Sequence, residues 1–256
     1  MRKAANFAAF IGVIIGMAAA LPPSVAAVNR GALWVVVHDI CLTAYQSIGV
    51  AFPCAEVNIA NGLDRGFAVL QTPSSAAHVI VVPTIPISGI ESPTLLSEDA
   101  PNYWAAAWDA RRFVEEGVRR PLPRDKVGMA INSAAGRSQD QLHIHVACIA
   151  APVADFLRRH QAEIRAAWTP LSSPLLGRRY AAMRVEADSL AQLNPFKALA
   201  RRPIPGKVSM ESQTLAVIGA TFGDGKAGFY LLAADSHASP EGAASAEKLL
   251  DLKCAD

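Results

Sequence analysis

The chain has 256 residues, of which 52% are hydrophobic and 18% charged, and its formal net charge is +2. That length and apolar content suit one large or two small globular domains and exclude a disordered chain. The near balance of charge, with basic residues scattered in pairs (Arg111-Arg112, Arg119-Arg120, Arg158-Arg159, Arg178-Arg179, Arg201-Arg202), excludes a nucleic-acid-coating surface, and such pairs read as solvated faces.

At the N-terminus, Arg2 and Lys3 precede an uncharged, mostly apolar run from Ala4 to Leu21. A run of about 18 apolar residues is near the lower limit for crossing a bilayer, and the positive flank predicts a cytoplasmic N-terminus with the body exported. Small residues up to Ala27 suit a cleaved signal equally well, so residues 1–27 read as anchor or signal and 28–256 as the body. The four cysteines, Cys41, Cys54, Cys148 and Cys254, fit an exported chain, and their spacings match no zinc motif. Three pairings exist. We expect Cys41 to join Cys54 across a short loop and Cys148 to join Cys254, against the alternative of free buried thiols.

The segment from Ala32 suits a helix or a strand, and a helix through Tyr45 is favoured, with Pro53-Cys54 in a closing loop. Three strand signals follow: 56–59, 66–71 and 78–82, the last stopped by Pro83. Asn61-Gly62 and Pro73-Ser74-Ser75 are turns between them, so the three form an antiparallel meander. From Tyr103 to Val114 an amphipathic helix is expected, with Trp104, Trp108 and Phe113 on one stripe. Core or interface packing is the simplest role for that stripe, with contact to acyl chains as the alternative.

A strand over 127–132, a loop over 133–140 and a strand starting at Gln141 come next. The remainder predicts a helix from Pro152 to about Trp168, a strand over 180–185, a helix over 190–200, and a hairpin of 213–221 and 228–233 around Gly223-Asp224-Gly225-Lys226. This extension, about 151–256, would lengthen the sheet, cap the site or form a degenerate second copy of the meander. The whole is α+β, with a core of about 56–150.

Gln141-Leu142-His143-Ile144-His145 is the most informative stretch. Residues i and i+2 of a strand point the same way, so Gln141, His143 and His145 form one polar row while Leu142, Ile144 and Val146 face a core. Just upstream, Asn132, Gly136, Arg137 and Ser138 offer an amide, a tight bend, a guanidinium and a hydroxyl, all suited to phosphate oxygens. Phosphate next to imidazole suggests phosphoryl or nucleotidyl transfer with a ring nitrogen attacking phosphorus. A zinc site would need a third ligand, and Cys148 falls on the opposite face from His145. His78 opens its strand as a pocket or supporting residue; His38, His160 and His237 have no evident partner.

These residues resemble the histidine-triad superfamily of nucleotide hydrolases and transferases over about 60–150. His78-Val79-Ile80-Val81-Val82-Pro83 looks like its strand ending in proline, Asn132 like its loop Asn, and Gly136-Arg137-Ser138 like its Gly-Gln-Ser. The resemblance implies an antiparallel sheet with flanking helices, His143 as nucleophile and His145 as a donor to a phosphate oxygen or the leaving group. Two departures stand out. Gln141 replaces the first histidine and cannot titrate, and Arg137 replaces a Gln and adds positive charge near the phosphates.

Within the superfamily, Gln141 to His145, Ile87-Ser88-Gly89-Ile90-Glu91-Ser92-Pro93 and Pro101-Asn102-Tyr103-Trp104 resemble the bacterial CDP-diacylglycerol pyrophosphatase family, over most of the chain. That resemblance implies hydrolysis of a liponucleotide, CDP-diacylglycerol, to CMP and phosphatidate through a cytidylyl-histidine. It also implies substrate contacts at Asn132, Gly136, Arg137, Ser138, Gln141 and His78, no metal or other cofactor, and no nucleic-acid partner. The body would sit on the periplasmic side of the inner membrane on a single pass, or be exported if the segment is cleaved, with an oligomer open. The competing functions are a histidine-triad hydrolase or nucleotidyltransferase with a soluble substrate, and a non-enzymatic or metal-binding exported protein.

Overall fold

A computed structural model describes residues 29–203, 209–236 and 245–255; residues 1–27 and His237 lie outside them. The strands are β1 (Glu56–Asn58), β2 (Phe67–Gln71), β3 (Val79–Pro83), β4 (Val127–Ile131), β5 (Ile144–Ile149), β6 (Thr169–Pro170), β7 (Ala181–Glu186), β8 (Gln213–Thr221), β9 (Ala227–Asp235) and β10 (Leu250–Asp251). They form one antiparallel sheet in the order β1-β2-β3-β5-β4-β8-β9-β7-β6, with β10 also on β5. The architecture is α+β, as the sequence predicts. β5 is central: β3 pairs with its first half, β10 with its end, and β4 runs along its other edge.

Both faces of this sheet are covered, which explains why its strands read as near-continuous apolar runs. In β8 the alternation is clear, with Leu215 and Val217 in one cluster and Ala216, Ile218 and Ala220 in another. The first face is roofed by the helices Tyr103–Asp109 and Arg111–Val118 and the segment around Phe196 and Leu199. The second face has two separate covers. Leu33, Val37, Cys41 and Leu42 of the N-terminal helix pack on Ala68, Ile80 and Val82, while Phe156, Leu157 and Leu249 pack on the part of the sheet containing Ala130, Ala147 and Ala216.

Several element bounds depart from expectation for local reasons. The N-terminal helix is α-helical at Ala32–Trp34 and Thr43–Ile48 but π-helical over Val35–Leu42, a wide winding that keeps Val37, Cys41 and Leu42 on the sheet. The Tyr103 helix breaks at Ala110, where Arg111 Nη1 donates to the Trp108 carbonyl at 2.7 Å. Its Trp104 and Trp108 are buried, 0% and 3% exposed, which makes the stripe packing and rules out acyl-chain contact there. The helix expected to reach Trp168 is Ala151–His160, closed by His160 Nδ1 on Glu163 at 2.6 Å and by ring stacking on Phe156. The 190–200 helix begins only at Pro195, capped by the Asn194 side chain, because proline favours the first helical position. Arg178 is buried and Arg202 half-buried, hydrogen-bonded to Gln213, so the solvated-face reading fails for those two.

Both expected disulfides are present, Cys41–Cys54 with a separation of 13 residues and Cys148–Cys254 with one of 106. If loop closure in the unfolded chain governs their effect, they contribute about 3 and about 5 kcal/mol respectively. Chemical denaturation should therefore show a larger loss for the Cys148→Ser/Cys254→Ser pair than for Cys41→Ser/Cys54→Ser, and equal losses would contradict that entropic account.

Candidate active site

β5 starts at Ile144, so Gln141 to His143 are an extended approach to the strand and not ladder residues as expected. Side-chain bonds replace the ladder. Gln141 Nε2 donates to the carbonyls of Pro83 (3.1 Å) and Ile85 (2.9 Å), its Oε1 accepts from Ile87 N–H (3.3 Å), and Leu142 N–H donates to Ile87 O (2.6 Å). Side-chain alternation survives the change. Leu142, Ile144 and Val146 are buried in the cluster with Trp104 and Trp108, and the His143 and His145 rings meet edge to face, 4.9 Å apart, on the other side.

His145 stands opposite Ile80 on β3 and Ala130 on β4, in the gap between the two covers of the second face. Its Nδ1 lies 3.0 Å from His78 Nε2, and His78 Nδ1 lies 2.9 Å from the Thr72 hydroxyl. His143 Nδ1 is 2.7 Å from the Gln141 carbonyl. A carbonyl oxygen accepts and cannot donate, so neutral His143 carries its proton on Nδ1 and its lone pair on Nε2.

The electrostatics keep these rings neutral. Burial lowers the His143 pKa, opposed by its bond to Gln141 and assisted by the charge of Arg137. Burial, then His143 and His78, hold His145 well below its ordinary value. Burial, then His143, lowers His78 to about 4. Neutral imidazole is the nucleophilic form.

The loop after β4 is firmly tied. Arg137 Nη1 donates to Glu91 Oε2 at 2.7 Å and its Nε to Asp140 Oδ1 at 3.1 Å, while Arg30 holds Asp140 through both carboxylate oxygens at 2.6 and 2.7 Å. The Arg30 bond, then Arg137, outweighs burial and brings Asp140 down to about 2. A Cβ at Gly89 would lie 2.3 Å from Arg137 Nη1 and 2.8 Å from Glu91 Oε2, so a larger residue there would displace this ion pair. The N–H groups of Gly136 and Arg137 donate to Ser133 O, which turns them into the loop, and Ser138 is exposed. Asn132 exchanges two 3.2 Å bonds with Glu247, its Nδ2 donating to Oε2 and its Oδ1 accepting from the backbone N–H.

Among the expected residues, His78, His143 and His145 thus converge, Gln141 braces them, and Arg137 is held by carboxylates. His38 stacks on Trp34 and hydrogen-bonds Asp39, away from this group. Thr72, Glu91, Asp140, Arg30 and Glu247 were not foreseen. Glu91 stood within the Ile87 to Pro93 stretch and offered a signal; Glu247, distant in sequence, offered none. Glu247 Oε2 is 3.5 Å from His145 Nε2, and His78, His145 and Glu247 present ligand atoms within 4.8 Å of one another. The third ligand that a metal reading lacked is therefore present, although His78 Nε2 and His145 Nδ1 are engaged with each other. Cys148, in a disulfide, is not a ligand.

Comparison with known proteins finds one family. Residues 28–256 match the family described as CDP-diacylglycerol pyrophosphatase. A relative from Yersinia pestis, described as CDP-diacylglycerol pyrophosphatase, is 39% identical over 242 residues, covering 94% of this chain and 91% of its own.

A titration follows from the lowered pKa values. Unfolded histidines bind protons near pH 6.5, whereas the three folded ones resist until lower pH, so stability falls as pH drops from about 6.5 toward about 4. NMR titration should find His78, His143 and His145 neutral at pH 6.5, and a midpoint at or above that value for His143 would contradict the geometry.

Proposed function

The chain belongs to the CDP-diacylglycerol pyrophosphatase family, and from that premise we propose that it hydrolyses CDP-diacylglycerol by a histidine-triad type of double displacement at His143. The observation that carries this mechanism is the bond from His143 Nδ1 to the Gln141 carbonyl, which leaves Nε2 unprotonated. The Nε2 lone pair bonds to the phosphorus that bears cytidine, the bond from that phosphorus to the bridging oxygen breaks, and its electron pair leaves with phosphatidate. The charged imidazole is then stabilised by its Nδ1–H on the carbonyl. Water bonds to phosphorus, the phosphorus–nitrogen bond breaks, a proton passes to solvent, and CMP departs.

Phosphatidate is a weakly basic leaving group, so charge stabilisation outweighs proton donation. Arg137, fixed by Glu91 and Asp140, and the exposed Ser138 hydroxyl are the loop groups that would meet phosphate oxygens. Gln141 acts by holding the approach to β5, with both ends of its amide used on residues 83–87. Asn132 acts through Glu247.

A lipid substrate places the site at a bilayer. The described chain begins at Asn29, directly after the segment containing the Ala4 to Leu21 run, and Arg30 is bonded to Asp140 in the loop that carries Arg137. Anchoring at that end would hold the loop beside the membrane. On the following helix and turn, Val35, Ile40, Ile48, Val50 and Phe52 are exposed, Ile48 and Phe52 by 73% and 75%, and they form the contact with acyl chains or headgroups. Among the described residues no helix is long and apolar enough to cross a membrane. A spanning role, and with it the periplasmic placement, would fall to the N-terminal run, or the body would be exported if that run is cleaved as a signal.

Two experiments test this reading. With CDP-diacylglycerol labelled in the cytidine and chelator present, the protein should release CMP, and His143→Ala should lose on the order of 10⁴-fold in turnover while keeping its circular dichroism spectrum. Release of CDP, or full activity in the variant, would overturn it, and loss of wild-type activity with chelator would favour the metal reading. Separately, Ile48→Ser/Phe52→Ser should slow turnover of substrate embedded in vesicles and leave detergent-dispersed substrate unaffected; equal rates on vesicles would exclude this contact surface.

A further inference from the structure

Glu247 is delivered to the site by an unusually constrained piece of chain. Ala246 N–H donates to the Thr214 hydroxyl at 2.8 Å, and that hydroxyl donates to Ile131 O at 2.6 Å. Ala150 N–H donates to Leu249 O, β10 pairs with the end of β5, and Cys254 is bonded to Cys148. Between these ties, the Asn132 side chain grips Glu247 at its backbone N–H and its Oε2, each at 3.2 Å. A surface carboxylate needs no such framework.

What Oε2 faces is His145 Nε2, 3.5 Å away, a buried ring nitrogen with no hydrogen-bond partner among the described residues. The row Thr72, His78, His145 can be protonated in two directions. In one, Thr72 accepts from His78 Nδ1–H, His78 Nε2 accepts from His145 Nδ1–H, and His145 Nε2 presents a lone pair to a carboxylate oxygen. In the other, the Thr72 hydroxyl donates to His78 Nδ1, His78 Nε2–H donates to His145 Nδ1, and His145 Nε2–H points at Glu247. The first sets two lone pairs against each other in a buried place; the second gives up only the 3.2 Å bond from the Thr72 hydroxyl to the His78 carbonyl, which still accepts from the Thr72 N–H at 3.0 Å.

We infer that Glu247 is a positioning residue that sets the direction of this row and keeps the proton of neutral His145 on Nε2. The inference rests on His143 as the nucleophile. The two adjacent rings then have opposite roles, with His143 Nε2 a bare lone pair and His145 Nε2 a donor for the phosphate oxygen or the bridging oxygen. The 3.5 Å separation is long for a hydrogen bond, so the carboxylate favours the Nε2–H through its charge without consuming it and leaves the proton free for a substrate oxygen. The C-terminal extension thereby completes the catalytic core from outside it.

Nitrogen NMR of histidine-labelled wild-type protein reads the tautomer directly, without substrate. His145 protonated on Nε2 is the expected result, and protonation on Nδ1 overturns the inference. In Glu247→Ala the signals should shift toward the Nδ1–H form, kcat should fall on the order of 100-fold and KM should change less than about threefold. Glu247→Gln, which keeps an acceptor oxygen, should restore kcat to within about tenfold of wild type. Unchanged kcat in Glu247→Ala with a folded spectrum also overturns it; should that variant fail to fold, the wild-type tautomer decides. An active His143→Ala would instead remove the nucleophile reading and leave the tautomer result standing.

Discussion

The hydrogen bond between His143 Nδ1 and the Gln141 carbonyl is the contact on which the remaining chemistry depends. It fixes where the proton sits on the ring, and burial keeps a second proton off. The bond exists only because the backbone at Gln141 is held still, and that is the work of three bonds from one uncharged amide to the 83–87 segment. A histidine at 141 has one donor and one acceptor when neutral, so it could not satisfy two carbonyls and an N–H together. Gln141 is a different solution to the same problem of orientation.

The sheet explains why the site lies where it does. A sheet roofed on both faces normally excludes three neutral but polar rings. Here the second roof is split, with the N-terminal helix over β2 and β3 and the Ala151–His160 helix with the C-terminal turn over β4 and β8. The imidazoles occupy the seam. Cys41–Cys54 lies within the first of these roofs, whereas Cys148–Cys254 lies in the core on the opposite face of the sheet, with Trp104 and Trp108.

Much of this was legible from local pattern. β2 and β3 showed as apolar runs bounded by turn residues, and the alternation around His143 put Leu142 and Ile144 on the core side. Both disulfides match the expected pairing, one of the three that the cysteine count left open. What escaped was set by contacts distant in sequence. The strand start at Ile144 depends on Gln141 bonding residues 83–87, and the end of the Ala151–His160 helix depends on His160 meeting Glu163 and Phe156. Glu247 reaches Asn132 across 115 residues, and no periodicity reports such a pairing.

Charge in the loop after β4 shows the same limit. Arg137 alone would add positive potential beside the phosphates, yet it sits with Glu91, Asp140 and Arg30 in a group whose formal charges cancel. Attraction of the pyrophosphate by a net field is therefore not what this loop supplies. A guanidinium has five N–H donors in a rigid fork, and two carboxylate bonds fix its plane without exhausting that capacity. The gain is orientation: the ordering of a long side chain precedes substrate binding, and the closeness of Gly89 leaves it no alternative position on that side. Arg30 ties this prearranged fork to the start of the N-terminal helix, so the same ion pairs that fix the loop also join it to the first roof of the second face.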